Sequence, residues 1–182
     1  MNEQTDDQLI ERTLQGERMA FGQLVQRYQT AVYSVAYNVL KSTADAEDAA
    51  QSAFLKAYEN LDRYKPDYKF FSWLYRIAVN ESINLRRKKK PLTGVEHAQA
   101  VEQRTADDLT VENEMEDRIG EALMELTPED RAIIILRHYQ DFPYPDIAYI
   151  MDITEKKVKS RLYTARQRLR QIFEQRGIRI EA

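Results

Sequence analysis

The sequence contains no cysteine among its 182 residues, so disulfides, thiol redox switches and cysteine-based metal sites are excluded. Glycine and proline are scarce, with five of each, and the glycines form no phosphate-binding loop. The two histidines, His97 and His138, are too far apart in sequence to indicate a metal site. No apolar run approaches the length of a membrane span, and the acidic segment 1–7 is unlike a secretion signal. These absences argue against an enzyme and predict a cytoplasmic protein without cofactor, metal ion or membrane-inserted segment.

Strand patterns are also nearly absent, whereas helix-forming residues are abundant and apolar residues recur mostly at helical spacing. The exception is the β-branched run at residues 133–136, which could form a buried strand. Thr127 as a cap and Pro128 as a first helical residue favour a buried helix there instead. We therefore predict an all-α fold.

The charge balance, 27 basic against 30 acidic residues, gives a net charge of −3 and does not by itself indicate a nucleic-acid-binding protein. The distribution of charge does indicate such a protein. Residues 86–90 and 156–170 are strongly basic, while residues 96–117 are mostly acidic, so one small molecule carries local fields of opposite sign. We expect weak DNA binding by the chain alone, with a salt dependence of about 0.9 log units per neutralised phosphate.

The helical apolar pattern is interrupted once over a long stretch. It runs to about residue 90, is lost in a segment rich in Ala, Glu, Gln, Asp and Thr, and resumes at about residue 115. This predicts two small helical domains, residues 1–90 and 115–182, joined by an acidic flexible linker, residues 91–114. From its composition, this linker reads as a solvated tether.

Residues 146–170 have the pattern of a helix-turn-helix. Ala148 permits a close helix crossing, Thr154 can cap the second helix, and Val158 and Leu162 would pack back on the first. No acidic residue interrupts the positive charge between residues 156 and 170, which argues against an ordinary solvated helix. The outer face suits phosphates and base edges of duplex DNA and carries Lys156, Lys157, Lys159, Ser160, Arg161, Thr164, Arg166, Arg168 and Arg170.

A second informative segment, residues 64–80, interleaves aromatic and basic side chains. Aromatic residues at helical spacing often belong to a core. Yet one short helix and the loop before it cannot bury all of them, and single-stranded DNA needs π-faces for its bases and cations for its phosphates. Both interpretations remain open for Tyr64, Tyr68, Phe70, Trp73 and Tyr75.

Together these segments resemble bacterial sigma factors of the extracytoplasmic-function type, which retain only regions 2 and 4 of the primary factors. Residues 45–58 are similar to region 2.2, residues 71–80 to the promoter-melting segment, and residues 126–131 with 146–170 to region 4. Three motifs in family order, separated by a linker, are more specific than any one. The resemblance implies a factor that binds core RNA polymerase, recognises the −35 and −10 promoter elements and melts the promoter without catalysing a covalent step.

The resemblance also assigns roles to residues. The polymerase-binding surface would comprise Asp45, Glu47, Asp48, Gln51 and Phe54, although the carboxylates could instead only cap a helix. The −10 element, as duplex and then as single strand, would be met by Lys56, Tyr64, Lys69, Phe70, Trp73, Tyr75, Arg76 and Asn80. The −35 duplex would be met by Lys156, Lys157, Lys159, Ser160, Arg161, Thr164 and Arg168. The partners implied are the clamp of the largest polymerase subunit, the flap of the second, and an anti-sigma factor.

Several positions depart from the family pattern. Asp152 stands where a turn glycine is common, Lys156 and Lys157 replace Gly-Thr, Thr164 replaces an arginine in many relatives, and Asn84 replaces an aspartate. These changes affect which promoter is read more than whether one is read. Two other functional hypotheses remain at this point: a dimeric regulator that binds palindromic operator DNA, and a helical adaptor that binds only proteins.

Overall fold

The computed structural model describes residues 4–89 and 111–178, and within these ranges the regular structure is entirely helical. A short 3₁₀ turn, Leu61–Arg63, lies between the third and fourth α-helices. The eight α-helices are α1 (Asp6–Leu14), α2 (Arg18–Leu40), α3 (Thr43–Glu59), α4 (Phe70–Lys89), α5 (Val111–Met124), α6 (Pro128–His138), α7 (Tyr144–Met151) and α8 (Glu155–Arg176). The all-α prediction is confirmed.

Local sequence rules determine where these helices begin. Ser42, Thr127 and Thr154 each precede a helix, and each hydroxyl oxygen accepts a hydrogen bond from the backbone N–H three residues later. Pro128 then occupies the first turn of α6, where its missing N–H costs nothing. The β-branched run 133–136 is therefore helical, as its cap predicts, and it is buried along its whole length.

The turn of the helix-turn-helix depends on Asp152, which ends α7 in the left-handed conformation with φ 54° and ψ 46°. Its backbone N–H donates to carbonyls of α7 and so satisfies the helix end. An aspartate is one of the few residues other than glycine that visits this region readily. Asp152 thus forms the turn without a glycine.

We expect Asp152→Ala to unfold in urea with a free energy about 1 kcal/mol lower than Asp152→Gly, because alanine is strained at positive φ. Both variants lose the ion pair between Asp152 and Arg76. The difference between their free energies of unfolding therefore isolates the cost of placing alanine in the left-handed conformation. Equal stabilities would show that residue 152 is not left-handed in solution.

The N-terminal domain is built on the close packing of α2, α3 and α4, with α1 against α2. Leu24, Val35 and Leu74 are fully buried in its core. The inner face of α3 is made of small side chains, which allow neighbouring helices to approach closely. These are Ala46, Ala49, Ala50, Ala53 and Ala57.

The C-terminal domain packs α6, α7 and α8 together, and α5 covers α6 and the end of α8. Val158 and Leu162 are buried against this core, as their spacing predicts. Helix α5 begins at Val111, four residues before the predicted start of this domain. The rest of the predicted linker lies outside the described residues. In the described part of the chain, no helix has both the length and the apolar character needed to cross a membrane.

The two domains are also in direct contact, which the sequence did not indicate. Helix α4 packs on α6 and α7, and α2 packs on α6, so a single hydrophobic cluster spans both domains. The rings of Phe71 and Phe142 lie 5.8 Å apart across this boundary. The Tyr75 hydroxyl donates to the carbonyl of Ala31 at 3.0 Å and lies 3.1 Å from Oε1 of Gln140.

Candidate nucleic-acid interface

Three residues predicted to bind DNA meet at one shallow groove between α3 and α4. Trp73 and Asn80 lie on one face of α4, and Lys56 faces them from α3. The Lys56 ammonium pairs with Glu81 at 2.6 Å, which holds it at the groove edge. An indole, an exposed amide and an exposed cation lie within the same groove, a combination that suits a nucleotide.

Sequence reasoning missed two further residues of this groove. Asn60 ends α3, and its side-chain amide donates to the carbonyl of Lys56 at 2.9 Å. Arg63 follows in the 3₁₀ turn, is exposed, and lines the same groove. Asn60 lies one helical turn after Lys56, so the i, i+4 spacing along α3 would have identified it.

The aromatic segment divides between the core and the surface. Tyr64 and Trp73 are half-buried, with ring centroids 5.5 Å apart. Phe70 is 2% exposed and Tyr75 is fully buried, and burial raises the pKa of Tyr75 to about 12. The predicted DNA-contacting roles of Phe70 and Tyr75 therefore do not fit this arrangement, because neither ring can stack on a base while it lies in the core.

Helix α7 holds Arg76, a predicted −10 residue, and Tyr68, whose role the sequence left open. The ring of Tyr68 stacks on Tyr149 with centroids 3.7 Å apart and planes 13° apart. Arg76 donates to the carbonyl of Tyr149 at 3.3 Å and pairs with Asp152 at 2.9 Å. Lys69, beside this contact, is exposed. The C-terminal domain thus covers one side of the α4 surface and leaves the groove of Trp73 and Asn80 open.

The outer face of α8 is available. The exposed members of the predicted −35 set are Lys156, Lys157, Lys159, Ser160, Thr164 and Arg168. Lys159 lies 5.8 Å from the ring centroid of Tyr144 in a cation–π contact. Arg161 is half-buried, and both Arg161 and Arg168 form ion pairs with Asp130 of α6. This face can meet phosphates and base edges together.

The predicted polymerase-binding residues form a third surface. Glu47, Asp48 and Gln51 are exposed on α3 and Phe54 is half-buried, whereas Asp45 is paired with Lys89 of α4. A groove between α2 and α3 continues this surface. Its lining comprises Val25, Gln29, Thr30, Tyr33, Glu47, Ala50, Gln51 and Phe54. The α2 side was missed, because the alternation of apolar and polar residues there resembles an ordinary amphipathic helix.

Within the described ranges, no three His, Asp or Glu side chains form a group that could hold a metal ion. His138 instead accepts a hydrogen bond from Nε of Arg166 at 3.2 Å. Burial, Arg166 and Arg137 all lower the pKa of His138. The neutral imidazole therefore acts as an acceptor between α6 and α8.

Comparison with known proteins shows which family this chain resembles. The sigma-70 region 2 family model matches residues 24–91, and the sigma-70 region 4 model matches residues 116–169. The chain is 33% identical to the extracytoplasmic-function (ECF) sigma factor SigW of Bacillus subtilis, over 88% of this chain and 92% of that protein. It is 34% identical to the ECF sigma-E factor of Escherichia coli, over 92% of this chain and 94% of that protein.

Solved structures show the same likeness. The CnrH structure, in complex with the cytosolic domain of CnrY, aligns with a TM-score of 0.67 at 25% identity, covering 91% of this chain and 95% of that one. The sigma factor RpoE of Bartonella quintana, in complex with the anti-sigma factor NepR, aligns with a TM-score of 0.66 at 26% identity, covering 85% of this chain and 96% of that one. The chain therefore belongs to the sigma-70 family, as an ECF sigma factor that directs RNA polymerase to promoters.

Proposed function

We propose that the three surfaces divide the work of promoter recognition. The groove of Lys56, Trp73 and Asn80 binds the −10 element, the outer face of α8 binds the −35 duplex, and the α2–α3 surface docks on the polymerase clamp. The observation that supports this division most directly is the open groove, where an indole, an amide and cations converge. The factor works beside the polymerase, in the cytoplasm.

In the −10 groove, the chemistry is capture of a base that has left the duplex stack. Extruding a base costs a few kcal/mol, and stacking on an aromatic ring returns about 1–3 kcal/mol. Trp73 supplies the ring and Asn80 supplies an amide with both donor and acceptor groups. Lys56 and Arg63 can neutralise the neighbouring phosphates. Phe70 and Tyr75 support this groove from the core.

At the −35 element, α8 provides a donor-rich face without a carboxylate between residues 156 and 170. Ser160 and Thr164 lie one turn apart, and the Thr164 hydroxyl donates to the Ser160 carbonyl at 3.2 Å. Lys156, Lys157 and Lys159 are exposed, and their ammonium groups suit phosphate contacts. We assign base recognition to the middle of the helix and phosphate anchoring to its beginning.

For polymerase docking, we assign Glu47, Asp48, Gln51 and Phe54 to the clamp, because exposed carboxylates beside an apolar groove suit a basic partner helix. Asp45 contributes indirectly, since its carboxylate lies in the first turn of α3 and pairs with Lys89. The C-terminal domain would contact the flap. The structures of CnrH and RpoE, each with a bound partner protein, support an anti-sigma partner for this chain too.

Promoter binding requires the two domains to separate. Promoter elements centred about 25 base pairs apart lie about 85 Å apart on straight B-form DNA. In the closed arrangement, Arg76 of the −10 surface instead touches Asp152 at the start of the −35-reading unit. One closed molecule cannot span both elements, so we infer that assembly with polymerase opens it.

We expect Asn80→Asp to reduce promoter-directed transcription about tenfold or more, because the variant loses the amide donor and places an anion beside the DNA. Gln23→Glu is the matched control, because it also converts an exposed amide into a carboxylate. Gln23 lies on α2, outside the groove. Permanganate reactivity of unpaired thymines would report melting separately from binding. Equal losses in both variants would contradict the assignment of Asn80.

The function as a whole is tested by transcription of fragmented genomic DNA with core RNA polymerase, with and without this protein, followed by sequencing of new 5′ ends. New starts that share two spaced upstream elements would support the proposal. Dimeric binding to palindromic duplex without polymerase would favour an operator-binding regulator instead.

A further inference from the structure

Asp130 is a buried carboxylate that contacts two arginines of the DNA-reading helix. Its side chain is 8% exposed, on the first turn of α6. One oxygen accepts from Nε of Arg161 at 2.8 Å, and the other accepts from Nη1 of Arg168 at 3.2 Å. Its backbone N–H donates to Thr127, so the carboxylate also lies at the positive end of α6. Both carboxylate oxygens and the backbone N–H are therefore engaged within the protein.

The two arginines, unlike Asp130, reach the surface of α8. The side chains of Arg161 and Arg168 are 31% and 55% exposed. A guanidinium has five N–H donors, and each arginine uses one of them on Asp130. Within residues 4–89 and 111–178 the other donors of these two side chains have no protein partner, so those that reach the surface can meet a ligand. An arginine held at one edge also loses less side-chain freedom when its other edge binds.

We infer that Asp130 is a positioning residue for promoter recognition: it fixes the orientation of Arg161 and Arg168 so that their free edges meet the −35 element in one geometry. This inference depends on the proposed role of α8. Asp130 itself does not touch DNA, and its effect passes through the two arginines.

A purely structural tie between α6 and α8 would explain the same contacts, but it makes a different prediction. Loss of a structural tie lowers stability and weakens binding to every sequence alike. Loss of a positioning carboxylate lowers discrimination between sequences. It also removes a negative charge beside two cations, which strengthens the attraction to any duplex. The charge effect accompanies either role, so base preference and stability are the measurements that separate a positioning carboxylate from a structural tie.

The test uses the full chain, alone and assembled with core polymerase. A promoter found with the wild-type protein is randomised over its upstream element, transcribed, and sequenced to measure base preference. Asp130→Asn preserves the size of the side chain while removing its charge. Glu155→Gln is the matched control, because it removes one exposed charge from the first turn of α8. Binding of the free chain to an unrelated fluorescent duplex and thermal unfolding are measured in parallel.

We expect Asp130→Asn to reduce discrimination about tenfold at the base pairs that Arg161 or Arg168 contacts, with unrelated duplex bound as tightly or more tightly. Glu155→Gln should strengthen non-specific binding without changing base preference. Adding Asp130→Asn to an Arg161→Ala, Arg168→Ala background should produce little further loss of discrimination, because the groups it orients are gone.

Unchanged base preference in Asp130→Asn, or uniform weakening with a lowered melting temperature, would overturn the inference and leave the proposed function intact. Additional loss of discrimination in the background without both arginines would overturn it too. If the wild-type protein directs no new starts, the proposed function fails, and the role of Asp130 at promoters fails with it. These outcomes are distinguishable because only the last involves the wild-type protein.

Discussion

Replacing Arg131 by methionine is expected to lower the free energy of unfolding by about 3–5 kcal/mol, a larger loss than most single substitutions cause. Arg131 is 1% exposed, and its guanidinium donates to four backbone carbonyls. Three belong to the end of α5 and the turn after it: Leu123 at 2.8 Å, Met124 at 2.9 Å and Leu126 at 3.1 Å. The fourth is Val39, at the end of α2 in the other domain.

These carbonyls explain why the arginine is needed. The last carbonyls of a helix have no partner within that helix, and they carry the negative end of its dipole. Arg131 therefore caps α5 and α2 together, and methionine would leave buried acceptors unsatisfied. Burial, with a smaller contribution from Arg86, lowers the pKa of Arg131 to about 10, so the side chain remains a cation at neutral pH. Lysine has only three donors on one nitrogen, so Arg131→Lys should recover only part of the loss.

Urea unfolding followed by circular dichroism would measure this effect. Arg170→Met is the control, because Arg170 is 77% exposed and pairs with Glu174 of the same helix, which is 66% exposed. Its loss should cost less than about 1 kcal/mol. If Arg131→Met also lowers the free energy of unfolding by less than about 1 kcal/mol, the four hydrogen bonds do not form in solution.

Arg131 also shows what the sequence could not reveal. Its bond to Val39 joins residues 92 positions apart, and no local pattern identifies such a partner. Thr127, Thr154 and Asp152 were interpretable because capping and left-handed turns depend on a few neighbouring residues. The fold class and the ends of several helices were predictable on that basis, and contacts between the domains were not.

The aromatic residues of α4 show the same limit of sequence-based prediction within the candidate site. Helical spacing placed them on different faces, but it did not show how many faces are buried. Because α2, α3, α6 and α7 all pack on α4, Phe70 and Tyr75 face the core, while Trp73 faces the groove. Asp130 was visible in the sequence only as part of a helix start. Its role depends on α8 returning to α6 more than thirty residues later.

A second large effect is expected from locking the two domains together. The native chain has no cysteine, so an Arg87→Cys, Glu129→Cys variant carries the only two thiols of the factor. These residues form an ion pair between α4 and α6, and Arg87 is 63% exposed. A short bis-maleimide should therefore join them before the factor meets polymerase. We expect the crosslinked protein to lose promoter-directed transcription by more than about tenfold, because the open state is removed from its equilibrium.

The controls follow from the same pair of positions. Each single-cysteine variant, treated with the same reagent, keeps both domains free to move and should remain active, as should the untreated double variant. Mass spectrometry confirms the crosslink, and unreacted reagent is quenched so that thiols of the polymerase are not modified. Binding of the locked factor to core polymerase, measured separately, distinguishes blocked docking from blocked promoter recognition. Full transcription by a verified crosslinked factor would contradict domain separation, because one closed molecule would then serve both promoter elements while Arg76 still contacts Asp152.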